Sequence, residues 1–324
     1  MPINKYIMKN IVTRTLKTFF FKLQKIFLKI GLHINPAHYY SSIPNINELV
    51  ESKSIWAKKS MLYGLNINIE DQIENIKTIC LPFKNEYLGN EIFKYGTENK
   101  FGPGYGYIEA QALHSVIRKY KPKRVIEVGS GVSTWCILKA NDLNKMQVDN
   151  DDFKLTCIEP YPNSILKSLK EVNLIEKKVQ EIDFEDEFCK LEKNDILFID
   201  SSHTVKVGSD VNYIILEILP RLKPGVIVHF HDIFIPYDYN RNTLSTFFHW
   251  SETTLLRAFL INNKNARIVF CMSQLHYDAK STLKEVFPEY NPQNDKDGLL
   301  DEKYVNFEQI HEEHFPSSIY IEIF

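Results

Sequence analysis

The sequence predicts an α/β protein, in which a mostly parallel sheet is covered by helices on both faces. Two observations lead to this prediction. After Pro122, short apolar runs typical of buried strands alternate with amphipathic stretches typical of helices. The 324 residues are 44% hydrophobic and 25% charged, with a formal net charge of -2, which is typical of a globular protein and excludes disordered and collagen-like chains.

The amino-terminal region, residues 1 to 100, is predicted to be helical and to carry a basic amphipathic helix at about residues 12–30. Apolar side chains recur there at helical spacing, and residues 1 to 47 contain seven Lys or Arg and no acidic residue. Such a helix can lie on an anionic membrane surface and so make peripheral membrane contact, although an apolar helical stripe more often packs inside a protein. The alternative is that its apolar face packs on the main domain or on a second copy in a homo-oligomer.

The elements of the sheet domain follow in order from residue 110. A helix is predicted from Ala110 to Tyr120, ending before Pro122. Seven strands are then predicted, at Arg124–Val128, Leu155–Ile158, Lys177–Gln180, Ile196–Asp200, Gly225–Phe230, Arg267–Cys271 and Ile319–Ile323. Helices between them are predicted at Thr134–Ala140, Ile165–Val172, Asp210–Leu219 and Thr254–Ile261. Because ligands of open parallel sheets bind beyond the carboxyl ends of the strands, the residues after each strand are the candidates for a site.

The first strand runs into a turn that contains two glycines, Glu127-Val-Gly-Ser-Gly-Val-Ser-Thr134. Glycine lets the backbone approach a ligand closely, and the following helix offers free N–H groups. We therefore predict cofactor binding by five residues of this turn, Glu127, Gly129, Ser130, Gly131 and Ser133. A dinucleotide fingerprint requires a third glycine where Thr134 stands, which favours a cofactor without a pyrophosphate. The alternative is an ordinary turn between a strand and a helix.

Glu159 follows the second strand directly and precedes Pro160. A carboxylate at this place can accept hydrogen bonds from both hydroxyl groups of a ribose. The alternative is an acidic residue that only initiates the next helix. Together, the glycine turn and Glu159 indicate a nucleoside site.

Titratable residues accumulate after the fourth and fifth strands: Asp200, His203, His229, His231 and Asp232. A histidine here can take a proton from a substrate hydroxyl and make it a nucleophile. Alternatively, Asp200, His231 and Asp232 can hold a divalent cation that lowers the pKa of the hydroxyl. In a purely structural interpretation, His203 and Asp232 satisfy backbone groups and His229 is a core residue.

Three segments resemble the class I S-adenosylmethionine-dependent methyltransferases, and most closely the bacterial methyltransferase family 24. They are Glu127 to Thr134, Asp195 to Asn212, and Leu219 to Pro236. The resemblance implies a Rossmann-like, seven-stranded sheet whose last strand is antiparallel. It implies a methyltransferase domain at residues 101–324, with an insert at about 281–316 that the motifs do not explain.

The resemblance also implies S-adenosylmethionine (SAM) as the cofactor. Its methionine moiety would lie on Glu127, Gly129 and Gly131, its ribose on Glu159, and Asp200 would border it. Relatives that act on sugar or catechol hydroxyls hold Mg²⁺ with carboxylates at the positions of Asp200 and Asp232. His231 stands where a second acid or amide is expected, which puts Mg²⁺ or another divalent cation in question.

We therefore hypothesise O-methylation of a sugar or small-metabolite hydroxyl, with His229 or His231 as general base and Asp200 and Asp232 orienting it or binding a cation. The alternatives are an NAD-dependent oxidoreductase and a non-catalytic, membrane-surface binding protein. Nothing in the charge distribution indicates a nucleic-acid partner. Five cysteines without a C-x-x-C pair favour a reducing, cytoplasmic location, with the basic helix at the inner face of the membrane.

Overall fold

The computed structural model describes residues 5–34, 40–102, 104–147, 152–301 and 312–324, with side chains from residue 17 onward. The chain divides into two compact units, Met1–Lys53 and Ser54–Phe324. Residues 54 to 100, which we assigned to the amino-terminal region, are part of the unit that holds the sheet. The predicted domain boundary at residue 100 and the predicted insert stay predictions.

The first unit contains helix α1 at Lys5–Leu28 and helix α2 at Ile46–Glu51. The helix predicted at residues 12–30 is therefore present, although the side chains of residues 12–16 lie outside the described part. Three consecutive aromatic side chains of α1 are between 45% and 59% exposed, namely Phe19, Phe20 and Phe21. No helix among the described residues is long and apolar enough to cross a membrane.

A seven-stranded sheet forms the centre of the second unit. Its strands are β1 (Arg124–Val128), β2 (Lys154–Ile158), β3 (Val172–Ile175), β4 (Ile196–Ile199), β5 (Ile227–Phe230), β6 (Ala266–Cys271) and β7 (Ile319–Ile323). They are ordered β3-β2-β1-β4-β5-β7-β6, and β7 is antiparallel to both of its neighbours. The predicted fold is thus confirmed. Strand order reverses between β1 and β4, which places the ligand crevice of such a sheet at their carboxyl ends.

The third strand lies elsewhere than predicted. The prediction of a strand at Lys177–Gln180 is wrong. The third strand, β3, is formed by Val172–Ile175 and pairs with β2. A 3₁₀ turn at Val179–Glu181 follows. The predicted helix over Ile165–Val172 is also too long, since it ends at Ser168. In β3 the apolar residues alternate only partly, as expected for a short strand at the edge of a sheet. The helix that precedes it in the chain is also short, with five residues.

Helices cover both faces of the sheet, and the sheet separates two apolar cores. The helices after α2 are α3 (Lys53–Trp56), α4 (Ile69–Cys80), α5 (Lys84–Tyr87), α6 (Glu91–Glu98), α7 (Tyr107–Tyr120), α8 (Val132–Gln147), α9 (Ser164–Ser168), α10 (Asp210–Tyr213), α11 (Glu252–Leu260), α12 (Met272–Asp278) and α13 (Lys280–Val286). Helices α4, α7, α8, α12 and α13 enclose one core, and α10 and α11 enclose the other. Helix α7 begins three residues before the predicted Ala110, so its first turn includes Glu109.

Candidate active site

The glycine turn joins the carboxyl ends of three strands. Gly129 has a φ of +79°, and its N–H donates to the carbonyl oxygen of Ile158 over 3.0 Å. A Cβ built on Gly129 would lie 1.9 Å from the carbonyl oxygen of Asp200, which follows β4. The N–H of Asp200 in turn donates to the carbonyl oxygen of Val128 over 2.8 Å. Because the two backbones lie this close, position 129 has no room for a side chain.

Glu127 lies behind the turn and is fully buried. Its carboxylate accepts hydrogen bonds from Ser133 Oγ (2.7 Å), Thr134 Oγ1 (2.5 Å) and Cys157 Sγ (3.1 Å). Burial raises the pKa of Glu127 to about 7, against the effect of these hydrogen bonds. Glu127 therefore holds the first turn of α8 in place and is absent from the lining of the adjacent pocket. Its predicted contact with a cofactor stays a prediction.

Thr134, at the position of the missing third glycine, has a specific role in this arrangement. Its hydroxyl donates to Glu127 and accepts the N–H of Gly131 over 3.2 Å. That N–H is one of those that would otherwise point at a pyrophosphate. The N–H of Gly131, which would contact a pyrophosphate in a dinucleotide site, is thus bound by Thr134 instead.

An open pocket lies in front of the turn. Its lining includes all the predicted cofactor residues except Glu127, namely Gly129, Ser130, Gly131, Ser133, Glu159 and Asp200, together with Tyr105 and Val132. Glu159 accepts the N–H of Tyr161 over 2.8 Å and lies 3.4 Å from the N–H of Ser130. A Cβ on Gly102 would come within 3.2 Å of Cα of Gly131. The pocket therefore lies where backbone segments approach one another closely, with a carboxylate after β2 and another after β4.

Beyond Asp200 lies a group that we call the carboxylate–imidazole cluster: Glu109, Asp200, His203, His231, Asp232 and Glu252. Nδ1 of His231 lies 3.4 Å from Asp200 Oδ1 and 3.5 Å from Asp232 Oδ2. Nε2 of His203 lies 3.3 Å and 3.6 Å from the same two oxygens. The two imidazoles thus converge on the same pair of aspartates, which follow β4 and β5.

Each imidazole is held from behind by a buried glutamate. Nε2 of His231 lies 3.2 Å from Glu109 Oε1, and Nδ1 of His203 lies 2.8 Å from Glu252 Oε2. Both glutamates are at most 3% exposed. Neither was predicted from the sequence. The sequence held no specific signal for Glu109, because an acid in the first turn of a helix is ordinarily explained by the helix dipole.

The charges in the cluster reinforce one another. Although burial opposes ionisation, the charge of His231 and a hydrogen bond from His203 hold the pKa of Asp200 well below its usual range. Burial likewise disfavours the charged form of His203, yet its hydrogen bonds with Asp200 and Glu252 raise its pKa to about 10. The pKa of His231 is also raised well above its usual value, because the nearby carboxylates outweigh burial.

The backbone at the cluster is strained as well as charged. His203 and Asp232 both have a φ of +56°, in the left-handed region that side chains other than glycine rarely adopt. Non-glycine residues in this region occur often at functional sites, where the surrounding structure holds them. Here the carbonyl of His203 accepts the N–H groups of Ser251 and Glu252, which fixes the turn.

His229 lies outside the cluster, although it is only two residues before His231. It is fully buried in β5, where its ring stacks on Tyr320 at 4.4 Å and contacts Phe198 at 4.5 Å. Burial lowers its pKa well below the usual value. Among the described residues, neither ring nitrogen has a hydrogen-bond partner. The structure therefore brings together Asp200, His203, His231 and Asp232, but not His229.

The cluster fits a divalent cation. One ligand atom from each of Asp200, His231 and Asp232 lies within 4.8 Å of the others. Four carboxyl groups against two imidazoles leave an excess of acidic groups, which a cation would complement. Carboxylate oxygens combined with an imidazole nitrogen are a ligand set that first-row divalent metals accept more readily than Mg²⁺ does.

Comparison with known proteins agrees with the sequence motifs. Residues 126–233, about a third of the chain, match the family model described as a methyltransferase domain. An uncharacterized protein of Archaeoglobus fulgidus is 28% identical over 188 residues, which cover 50% of this chain and 76% of that protein. The segment matched by the family model contains the glycine turn, Glu159, Asp200, His231 and Asp232.

Solved structures of methyltransferases match this chain at low sequence identity. An SAH-bound methyltransferase of Podospora anserina is 16% identical and covers 70% of this chain and 92% of its own, with a TM-score of 0.36. The O-methyltransferase TomG of Streptomyces achromogenes, in complex with SAM and involved in tomaymycin synthesis, is 12% identical and covers 69% and 87%, with a TM-score of 0.36. Both scores are below 0.5, so the identification depends on the family match and the observed strand order.

Proposed function

We infer from the match of residues 126–233 to a methyltransferase domain that the chain carries an enzyme domain of the class I SAM-dependent type, in agreement with the resemblance of its motifs. We propose that it transfers the methyl group of SAM to a hydroxyl oxygen of a sugar or another small molecule. The observation that carries this proposal is the position of Asp200. It lines the pocket at the glycine turn and also lies 3.4 Å from His231 in the carboxylate–imidazole cluster. A cofactor in the pocket would therefore border the cluster directly.

The pocket suits a nucleoside that carries an amino acid better than a dinucleotide. Glu159 is placed to accept the ribose hydroxyl groups, and the glycines let the ligand lie against the backbone. Thr134 Oγ1 occupies the N–H of Gly131, which a pyrophosphate would require. This arrangement favours SAM over the NAD of the alternative oxidoreductase.

The cluster is placed to handle the acceptor hydroxyl. Asp200 and Asp232 can accept its hydrogen bond, and His231 presents Nδ1 to both of them. His231 is therefore the imidazole that we assign as proton acceptor, in place of His229, which is enclosed by aromatic rings. The surrounding carboxylates favour its charged form, so it accepts a proton only when the bound acceptor or a cation screens them. Alternatively, a divalent cation held by Asp200, His231 and Asp232 would lower the pKa of the hydroxyl, and Nδ1 of His231 would then be a ligand and not the proton acceptor.

Calorimetry with SAH and with NAD tests the cofactor. We expect SAH to bind in the micromolar range and NAD to show no binding at about 1 mM. Glu159→Gln should weaken SAH binding about tenfold, because a charge-assisted hydrogen bond contributes roughly 1.5 kcal/mol. Glu176→Gln is the matched control, since Glu176 is an exposed partner of Lys167. Binding of NAD but not of SAH would contradict the proposal.

Turnover with labelled SAM tests the reaction. We expect label to pass from SAM to hydroxyl-bearing metabolites or saccharides in a cell extract, and to form an ether that resists base hydrolysis. Transfer should depend on added Mn²⁺ or Mg²⁺ if the cluster holds a cation, and chelation should then abolish it. Label found only on carboxyl groups, as base-labile esters, would contradict O-methylation of a hydroxyl.

We also propose that helix α1 binds an anionic membrane surface. Its exposed phenylalanines lie beside lysines, and Lys25 lies 4.9 Å from the ring centre of Phe21. Aromatic and basic side chains on one solvent-exposed helix are typical of interfacial helices. With no acidic residue before Glu48, nothing in this segment opposes attraction to anionic lipids.

Co-sedimentation with lipid vesicles tests this second proposal. The protein should bind vesicles that contain phosphatidylglycerol, and not vesicles of phosphatidylcholine alone. Deleting residues 1–30, or combining Lys22→Glu with Lys25→Glu, should abolish binding. Lys167→Glu with Lys170→Glu is a matched charge reversal on the second unit and should leave binding intact. Unchanged sedimentation of the deleted chain, or a stable dimer without vesicle binding, would overturn the proposal.

A further inference from the structure

Glu109 connects three elements that meet at the cluster. It lies in the first turn of α7, outside the residues matched by the family model and outside the lining of the pocket. Its Oε1 lies 3.2 Å from Nε2 of His231 after β5. The same oxygen accepts the N–H of Ser317 and the hydroxyl of Ser318, both over 2.9 Å, just before β7. One carboxylate oxygen therefore joins α7, β5 and β7.

The position of this carboxylate is fixed tightly. A Cβ built on Gly106, the residue before α7, would lie 1.8 Å from Oε2 of Glu109. The carboxylate thus folds back against the amino terminus of its own helix, where its charge is favoured by the helix dipole. Its other oxygen is left to face His231 and the two serines. Such a group has little freedom to move when the site is loaded.

Ser317 extends the connection to Asp232. Its hydroxyl lies 2.9 Å from Asp232 Oδ1 and 3.3 Å from Glu109 Oε1. A hydroxyl has a single proton to donate, and the shorter distance favours Asp232, while the N–H of Ser317 serves Glu109. Glu109 thus fixes the backbone of Ser317, and the hydroxyl of Ser317 donates to Asp232. His231 is therefore connected to Glu109 directly, and Asp232 is connected to the same glutamate through Ser317.

We infer that Glu109 is a positioning residue for methyl transfer, which acts by holding Nε2 of His231 so that Nδ1 faces Asp200 and Asp232. The inference rests on the proposed function, because it assumes that His231 acts on the acceptor. The physical basis is general: a partner that holds one ring nitrogen of a histidine, here the Glu109 carboxylate at 3.2 Å, sets the direction in which the other nitrogen points.

Three substitutions of Glu109 separate position from charge. Glu109→Ala removes the acceptor and should lower kcat about 10- to 100-fold, the range typical of groups that orient a ligating or catalytic histidine. Glu109→Gln keeps an oxygen at the position of Oε1 and should retain kcat within about threefold. Glu109→Asp keeps the charge but withdraws the oxygen, so kcat should fall about tenfold. In all three, KM for SAM should stay within about twofold, because Glu109 is absent from the pocket lining.

Glu289→Ala provides the matched control. Glu289 is a second carboxylate that binds α7, through Tyr107 Oη and Gln111 Nε2 at 2.7 Å each, and it contacts neither His231 nor Asp232. Its loss should lower thermal stability without changing kcat. If Glu109→Ala and Glu109→Asp also lower only stability, Glu109 is merely structural and the inference is wrong. If Glu109→Gln is as impaired as Glu109→Ala, charge rather than position matters, which also overturns it.

A readout independent of turnover is the ring ¹⁵N spectrum of histidine-labelled protein, with the His231 signals assigned by their loss in His231→Gln. In the wild type, Nε2 of His231 should carry a proton that faces the Glu109 carboxylate at 3.2 Å, and Glu109→Ala should shift this signal. If no methyl transfer is found but this signal behaves as expected, the proposed function fails and the positioning of His231 by Glu109 survives. If transfer is found and the signal is unchanged in Glu109→Ala, only the inference fails.

Discussion

The two halves of the site lie at the same edge of one sheet, yet they are built from different material. At β1 and β2 the pocket is lined by Gly129, Gly131 and Glu159, and the backbone of Gly129 lies close against that of Asp200. At β4 and β5 the carboxylate–imidazole cluster is made of side chains drawn from separate segments of the chain. The pocket should therefore be damaged by atoms that are added, whereas the cluster should be damaged by charges and hydrogen bonds that are removed.

The largest effect should come from adding one methyl group to the pocket. Gly129→Ala places a Cβ 1.9 Å from the carbonyl oxygen of Asp200, so the turn must separate from β4. We expect SAH binding to fall below detection in calorimetry. Gly208→Ala is the matched control, because Gly208 has a similar φ of +72° and no atom within 4 Å of the added Cβ. Equal loss of binding in both variants would show that backbone conformation, and not the close approach, matters.

In the cluster, His231→Gln should lower kcat about 1,000-fold, within the range for loss of a general base. SAH affinity should change less than about threefold, since His231 does not line the pocket. Rapid-quench kinetics with a true acceptor and calorimetry with SAH measure the two effects separately. If His231→Gln loses SAH binding and keeps kcat, the carboxylate–imidazole cluster binds the cofactor and does not act on the acceptor, which contradicts the assignment.

The buried carboxyl of Glu127 should make the stability of the protein depend on pH. Burial raises its pKa from 4.5 to about 7, so between these values the folded protein binds more protons than the unfolded chain does. The free energy of unfolding should therefore fall as pH rises, by about 2 kcal/mol between pH 5 and 7, and this contribution should be constant above pH 8. Urea unfolding of the wild type and of Glu127→Gln measures the difference. Identical pH profiles of the two proteins would contradict the buried, high-pKa carboxyl.

The smallest effect should come from His229, two residues from His231 on the same strand. His229→Phe replaces a neutral imidazole that lies among aromatic rings and whose nitrogens have no partner among the described residues. We expect kcat within about threefold of the wild type and a gain of about 1 kcal/mol in unfolding free energy, as an unsatisfied buried group is removed. A 100-fold loss of kcat would restore His229 as a candidate base.

The sequence predicts the strands and the positions at their ends because their signals are local, and the roles of the residues at those ends stay predictions. The seven-stranded sheet, the glycine turn and Glu159 are local patterns, because backbone conformation and the ends of strands leave signals within a few residues. The same holds for Asp200 and Asp232, which follow neighbouring strands. The error at β3 has the opposite cause: a four-residue edge strand carries too little periodicity to be located.

Residues that act through distant contacts were missed. Glu109, Glu252 and Ser317 reach the cluster from positions far apart in the chain, and an acid in the first turn of a helix is ordinarily explained by the helix dipole. Only the fold shows that Glu109 faces a histidine. His229 was overvalued for the complementary reason: strand alternation places it on the same side as His231, but gives no information about the aromatic rings that enclose it.

The most direct measurement of the central claim is a crystal structure with SAH bound. The ribose should lie on Glu159, the methionine moiety along Gly129 and Gly131, and the sulfur should face Asp200 and, beyond it, His231. Electron density for SAH at another edge of the sheet, or with its sulfur turned away from the carboxylate–imidazole cluster, would contradict the account.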